Sequence, residues 1–118
     1  MLQEILPDFD DLQGMILEIF NLQSKKAYLD VEIKATEALV TREVTTNEKY
    51  FTNGKQPSME FIKSTYQYTG IDGKLVDKRK EYADVAALLE FKRLSYDLAK
   101  MKVDVWRTRS ANERLSVE

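Results

Sequence analysis

The sequence predicts an all-α fold: two long antiparallel, coiled-coil-like helices, about residues 8–50 and 74–112, with a short helix between them. Three observations carry this. Apolar residues recur at alternating steps of three and four in two separate stretches. The turn-forming residues are gathered between those stretches. Only four glycines and two prolines occur in 118 residues, too few for a sandwich or barrel built from many tight turns. A chain of this length forms a single domain, here with an N-terminal arm at 1–7, turns at 52–58 and 70–73, and a C-terminal tail at 113–118.

Pro7 and Asp8 form a helix start signal, with further acids in the first turn. Met15, Ile19, Leu22, Lys26, Leu29, Ile33, Thr36 and Val40 then follow the seam of a coiled coil. The β-branched Thr41, Val44, Thr45 and Thr46 weaken the helix, and Asn47 is placed to recap a short turn carrying Lys49, Tyr50 and Phe51. Residues 53–57, Asn-Gly-Lys-Gln-Pro, are the strongest breaker. Ser58 caps a short helix over about 59–68, which Gly70 ends, and Asp72-Gly73 makes a second turn.

From Lys74 to Asn112 there is neither Gly nor Pro. Tyr82, Val85, Leu89, Lys92, Tyr96, Ala99, Val103 and Trp106 form the second seam, which makes Trp106 a core residue. Beside it runs another apolar stripe, Leu88, Phe91, Leu98, Met101 and Val105, so the apolar face is wider than one partner helix needs. A helix of this length is about 58 Å long, more than a compact globule of this size spans. The stripe is therefore expected to be an oligomer interface, making the protein a homo-oligomer; the competing arrangement is a monomeric bundle in which the short helix covers it.

Cysteine and histidine are both absent, which removes disulfides, thiolate nucleophiles, imidazole bases and the usual zinc ligands. No phosphate-cradling glycine loop is present. Paired acids such as Glu32 and Glu43, or Asp77 and Glu81, read as solvated helix surface. The expectation is a non-enzyme with no cofactor and no metal. No apolar run approaches membrane-spanning length, and the first basic residue is Lys25, so neither a membrane segment nor a signal peptide is expected. An intracellular, cytoplasmic location is the default.

The net charge is −2, but it is unevenly spread: residues 1–46 hold four basic and nine acidic side chains, and residues 92–118 hold seven basic and four acidic. Helix dipoles account for such a gradient; an acidic arm for a basic partner and a basic face for an anion is the functional alternative. Basic and aromatic residues coincide at Arg42, Lys49, Tyr50, Phe51 and Lys55; Lys74, Lys78, Arg79 and Lys80 open the last long helix, and Arg107, Arg109 and Arg114 close it beside Trp106. Such residues neutralise phosphates and offer stacking platforms for unpaired bases. The plain alternatives are a hydrophobic plug for Tyr50 and Phe51 and a solvated face for the run at 78–80.

Residues 48–57, Glu-Lys-Tyr-Phe-Thr-Asn-Gly-Lys-Gln-Pro, resemble the stretch that ends the first long helix in the T4-type phage recombination mediator proteins. The segment from Glu81-Tyr82-Ala83-Asp84-Val85 to Arg107 looks like that family's second long helix, and residues 105–114 look like the tail of small helical phage proteins. The resemblance implies an all-helical, ring-forming protein in a phage-infected host cell. Its implied partners are single-stranded DNA, a single-strand-binding protein and a RecA-like recombinase that it helps to load. The family carries its main DNA-binding basic residues just before this element, where the present chain offers Arg42 and Lys49. The competing class is a helical interaction or structural protein, such as a viral assembly factor or adaptor, which would dock through the acidic amphipathic start Leu2, Glu4, Ile5, Leu6, Asp8 and Phe9.

Overall fold

A computed structural model describes residues 6–117. Helices α1 (Phe9–Thr46) and α3 (Lys74–Val117) are long and antiparallel; α2 (Met59–Ile62) lies between them in sequence and runs on into a π-helical turn, Lys63–Gln67. Short 3₁₀ turns occupy Glu48–Tyr50 and Ile71–Gly73. The described residues contain no strand, only an isolated antiparallel bridge between Thr52 and Lys55. The all-α expectation therefore holds. Residues 1–5, which carry most of the expected arm and the proposed docking start, lie outside the described residues. No helix among the described residues is long and apolar enough to cross a membrane.

Local chemistry sets the helix ends. Asp8 starts α1 with a reciprocal box: its carboxylate accepts from Asp11 N–H (2.8 Å), and its own N–H donates to the Asp11 carboxylate (3.2 Å). At the other end the hydroxyls of Thr41, Thr45 and Thr46 donate back to the carbonyls of Glu37, Thr41 and Arg42, a habit that weakens a helix. Helix α1 stops at Thr46 rather than at residue 50. Asn47 then caps the separate 3₁₀ turn by accepting from Lys49 N–H (3.1 Å). The breaker is a two-residue hairpin: Asn53 and Gly54 both have positive φ (55° and 75°), and Thr52 and Lys55 exchange two backbone hydrogen bonds of 3.0 Å. Gln56 Nε2 donates to the Thr45 carbonyl (2.8 Å), satisfying one of the open carbonyls at the end of α1. Ser58 Oγ caps α2 by accepting from Phe61 N–H (3.2 Å).

The chain packs as two compact units. One is Ser24–Ala86; the other joins the described residues up to Gln23 with those from Ala87 onward. The first unit holds the buried Leu29, Ile33, Val40, Val44, Ile62, Leu75 and Val85. Its ion pairs Lys25–Glu81 (3.7 Å) and Glu32–Lys78 (2.7 Å) advance along α1 while retreating along α3. In the second unit Glu18 pairs with Lys92 (2.7 Å), Leu89 is buried, and Met15, Ile19, Leu22, Tyr96 and Val103 are half-buried.

All eight expected seam positions of α1 are buried or half-buried, and so are seven of the eight on α3. Trp106 is the exception and corrects the reading of it as core: it is 46% exposed. The Glu18–Lys92 pair gives the reason. Helix α1 begins nine residues before Glu18, whereas α3 continues for 25 residues after Lys92. Beyond about residue 102, α3 has no turn of α1 opposite it. The expected tail is likewise corrected: α3 runs through residues 113–117, with no Gly or Pro to stop it. The stripe residues Leu88, Phe91, Leu98, Met101 and Val105 are all exposed.

Candidate nucleic-acid interface

The last three turns of α1, the 3₁₀ turn after it and the start of α3 enclose an open groove of about 570 Å³. Leu39, Val40 and Ile71 give it apolar walls; Arg42 and Lys74 bring two cations; Tyr50 contributes a ring; Thr36 and Thr46 add hydroxyls. Glu43 also lines it, and its carboxylate accepts from Asn47 Nδ2 (2.8 Å), which ties part of its hydrogen-bonding capacity to the cap. Lys49 stands beside the groove with its ammonium 5.2 Å from the centre of the Tyr50 ring. An apolar floor under two or three cations and an aromatic ring suits a ligand that is both anionic and planar.

Tyr50 has a structural duty as well. Its ring meets Tyr66 edge-to-face at 5.5 Å, and Tyr66 meets Phe61 the same way at 5.9 Å. Tyr50 and Phe51 are both half-buried, as a plug closing the hairpin requires. Phe51 N–H closes the 3₁₀ turn on the Glu48 carbonyl (2.9 Å).

The other expected phosphate ligands fall elsewhere. Lys55 is exposed at the tip of the hairpin, its backbone bonded to Thr52, and does not line the groove. Lys78 pairs with Glu32, whose hydrogen bond and charge hold the lysine above its ordinary range. Because that value is raised on folding, the stabilisation is present at neutral pH and is lost only as the pH climbs through the lysine range. Arg79 is the most heavily engaged side chain of the basic run. It pairs with Glu37, donates to the backbone carbonyls of Tyr68 (2.7 Å) and Gln67 (3.2 Å), and lies 4.6 Å from the Tyr68 ring centre. Lys80 is exposed on α3. The run at 78–80 is thus not a uniformly solvated face: two of its members pair with acids of α1.

Arg79→Ala removes all of these contacts at once and takes the donor from two carbonyls and from the half-buried Glu37 carboxylate. A loss of about 1–3 kcal/mol in unfolding free energy is expected by urea titration. Arg79→Lys should recover little of it, because an ammonium lacks the planar fork that reaches three acceptors. Full stability in Arg79→Lys would show that charge alone matters here.

Sequence reasoning grouped Arg42, Lys49 and Tyr50; the structure sets Arg42 and Tyr50 on one groove, with Lys49 against the Tyr50 ring. It noted Lys74 only as part of the basic opening of the last helix, and it gave no binding role to Ile71, Leu39 or Thr46. No local pattern marks these; they meet Arg42 because the chain reverses between Thr46 and Lys74. Comparison with family models, with curated proteins and with solved structures gives no match.

Proposed function

We propose that the chain binds single-stranded nucleic acid in the groove at the end of α1, with Arg42, Lys74 and Lys49 as phosphate ligands. We propose further that it acts as a phage-type recombination mediator, assisting the loading of a RecA-like recombinase and meeting a single-strand-binding protein. The observation that carries the binding reading is the convergence of Arg42 and Lys74 on one groove with Tyr50, flanked by Lys49. The mediator role is supported by the resemblance of residues 48–57, which contribute Tyr50 to that groove. The sequence carries no base-reading motif, so affinity should vary little with sequence and fall steeply with salt.

Each phosphate contact on a single strand contributes about 0.7 to the slope of log affinity against log salt. Replacing Arg42 and Lys74 together by alanine should therefore lower that slope by about 1.4. The measurement is a fluorescence-anisotropy titration of a labelled single strand at several salt concentrations. An unchanged slope would remove these two residues from the interface. A helical interaction protein with no nucleic-acid role is the second reading, favoured by the exposed apolar row on α3.

A further inference from the structure

The exposed side chains of α3 hold a second seven-residue repeat, distinct from the seam that faces α1. Phe91, Leu94, Leu98, Met101, Val105 and Leu115 are between 47 and 71% exposed. They fall on the 3-4 alternation 91, 94, 98, 101, 105, 108, 112, 115, whose two remaining positions are Thr108 and Asn112. At 100° per residue this row lies about 160° around the helix from the row that meets α1. An amphipathic helix needs one apolar face; α3 has two, on nearly opposite sides, which corrects the expectation that the stripe lies beside the seam and merely widens it.

The residues flanking the outer row state which partner fits. In coiled-coil notation Phe91, Leu98, Val105 and Asn112 take the a positions, and Leu94, Met101, Thr108 and Leu115 the d positions. The g positions before them are Glu90, Asp97 and Asp104; the e positions after them are Ser95, Lys102 and Arg109. One edge is acidic and the other turns basic. In a parallel pair of identical helices each g residue meets the e residue five positions on in the partner helix. Asp97 then faces Lys102 and Asp104 faces Arg109, twice over by symmetry. In an antiparallel pair g meets g and e meets e, which sets acid against acid and base against base. A single Asn at an a position is the usual device for fixing two strands and their register.

We infer that a second copy of this chain docks on the outer face of α3, as a parallel, in-register, two-stranded coiled coil over about residues 90–115. The expected homo-oligomer thereby acquires an orientation and a stoichiometry. The inference stands on α3 alone and does not depend on nucleic-acid binding. It also accounts for the long run of α3 beyond the start of α1: an isolated helix of that length is marginal in water, and a partner supplies the missing contacts.

The chain has no cysteine, so a thiol introduced into it is the only one present. Met101→Cys and Leu115→Cys, made separately in the full chain, each place a thiol opposite its own counterpart if the pair is parallel and in register. Each should form a covalent dimer under mild oxidation, far above the level given by Asn21→Cys on α1, which reports random collision. A two-fold antiparallel pair brings at most one of the two positions together. Sedimentation equilibrium of the unmodified chain should give the mass of two chains. Asp97→Lys and Lys102→Asp should each weaken association by about tenfold or more, and the double variant should restore it. Cross-linking at one position or neither, a monomer at high micromolar concentration, a single higher-order species, or no recovery in the double variant would each overturn the arrangement. Circular dichroism of each variant confirms that the helices persist.

Discussion

Leu75→Ala is expected to cost about 2–5 kcal/mol of unfolding free energy, the range for emptying a fully buried leucine site. Leu75 has no exposed surface and sits in the first turn of α3, beside Lys74. With Ile62 and Val44 it is one of the three large side chains most completely withdrawn from water among the described residues, and all three lie in the unit Ser24–Ala86. The loss should be read by urea titration at one fixed protein concentration, because self-association adds a concentration-dependent term. Val31→Ala is the control: a side chain 64% exposed, on α1 and outside the outer row of α3, should lower stability far less. Equal losses in the two variants would mean that the core has been misplaced. Binding should fall together with stability in Leu75→Ala, since the start of α3 carries both Lys74 and Leu75.

The second large effect is expected at Gly70. Its backbone has φ 76° and ψ 178°, a region that is essentially glycine-only and costs other residues about 1–3 kcal/mol. Space is lacking as well. A β-carbon there would lie 3.0 Å from the Leu75 nitrogen and 3.1 Å from the Leu75 Cβ and Cγ atoms. Leu75 cannot retreat without opening the core, and the backbone is pinned on both sides: Gly70 N–H donates to the Tyr66 carbonyl (2.6 Å) and Leu75 N–H to the Thr69 carbonyl (3.0 Å). Gly70→Ala should therefore unfold several degrees lower than Gly54→Ala. Gly54 shares a positive φ of 75° but has nothing within 4 Å of an added β-carbon. If the two variants melt together, backbone strain alone explains Gly70 and the close packing against Leu75 contributes nothing.

The two long helices were legible because a seam is a local, repeated signal: the residues of the 15–40 and 82–103 rows are the ones that lose exposure. Asn47, the Asn53-Gly54 turn and Ser58 were legible because capping and turn chemistry act within three residues. The misreadings share a different cause. The exposure of Trp106 depends on where α1 begins relative to α3, a register that the Glu18–Lys92 pair reveals and neither helix encodes alone. Lys78 and Arg79 looked like a free basic run because their partners, Glu32 and Glu37, are 46 and 42 residues away. The groove was half legible: Arg42, Lys49 and Tyr50 lie close together in sequence, but Lys74 and Ile71 join them only across the chain reversal.

The most direct test of the nucleic-acid reading is equilibrium binding of a labelled thirty-nucleotide single strand to the full chain, repeated with the variant lacking Arg42 and Lys74 and with a duplex of equal length. The account predicts retention of the single strand at low salt, steep loss of affinity as salt rises, little dependence on base sequence, and a shallower salt slope in the variant. No retention of the single strand even at the lowest salt, with sedimentation showing the protein intact, would contradict it and leave the helical interaction protein as the reading to pursue.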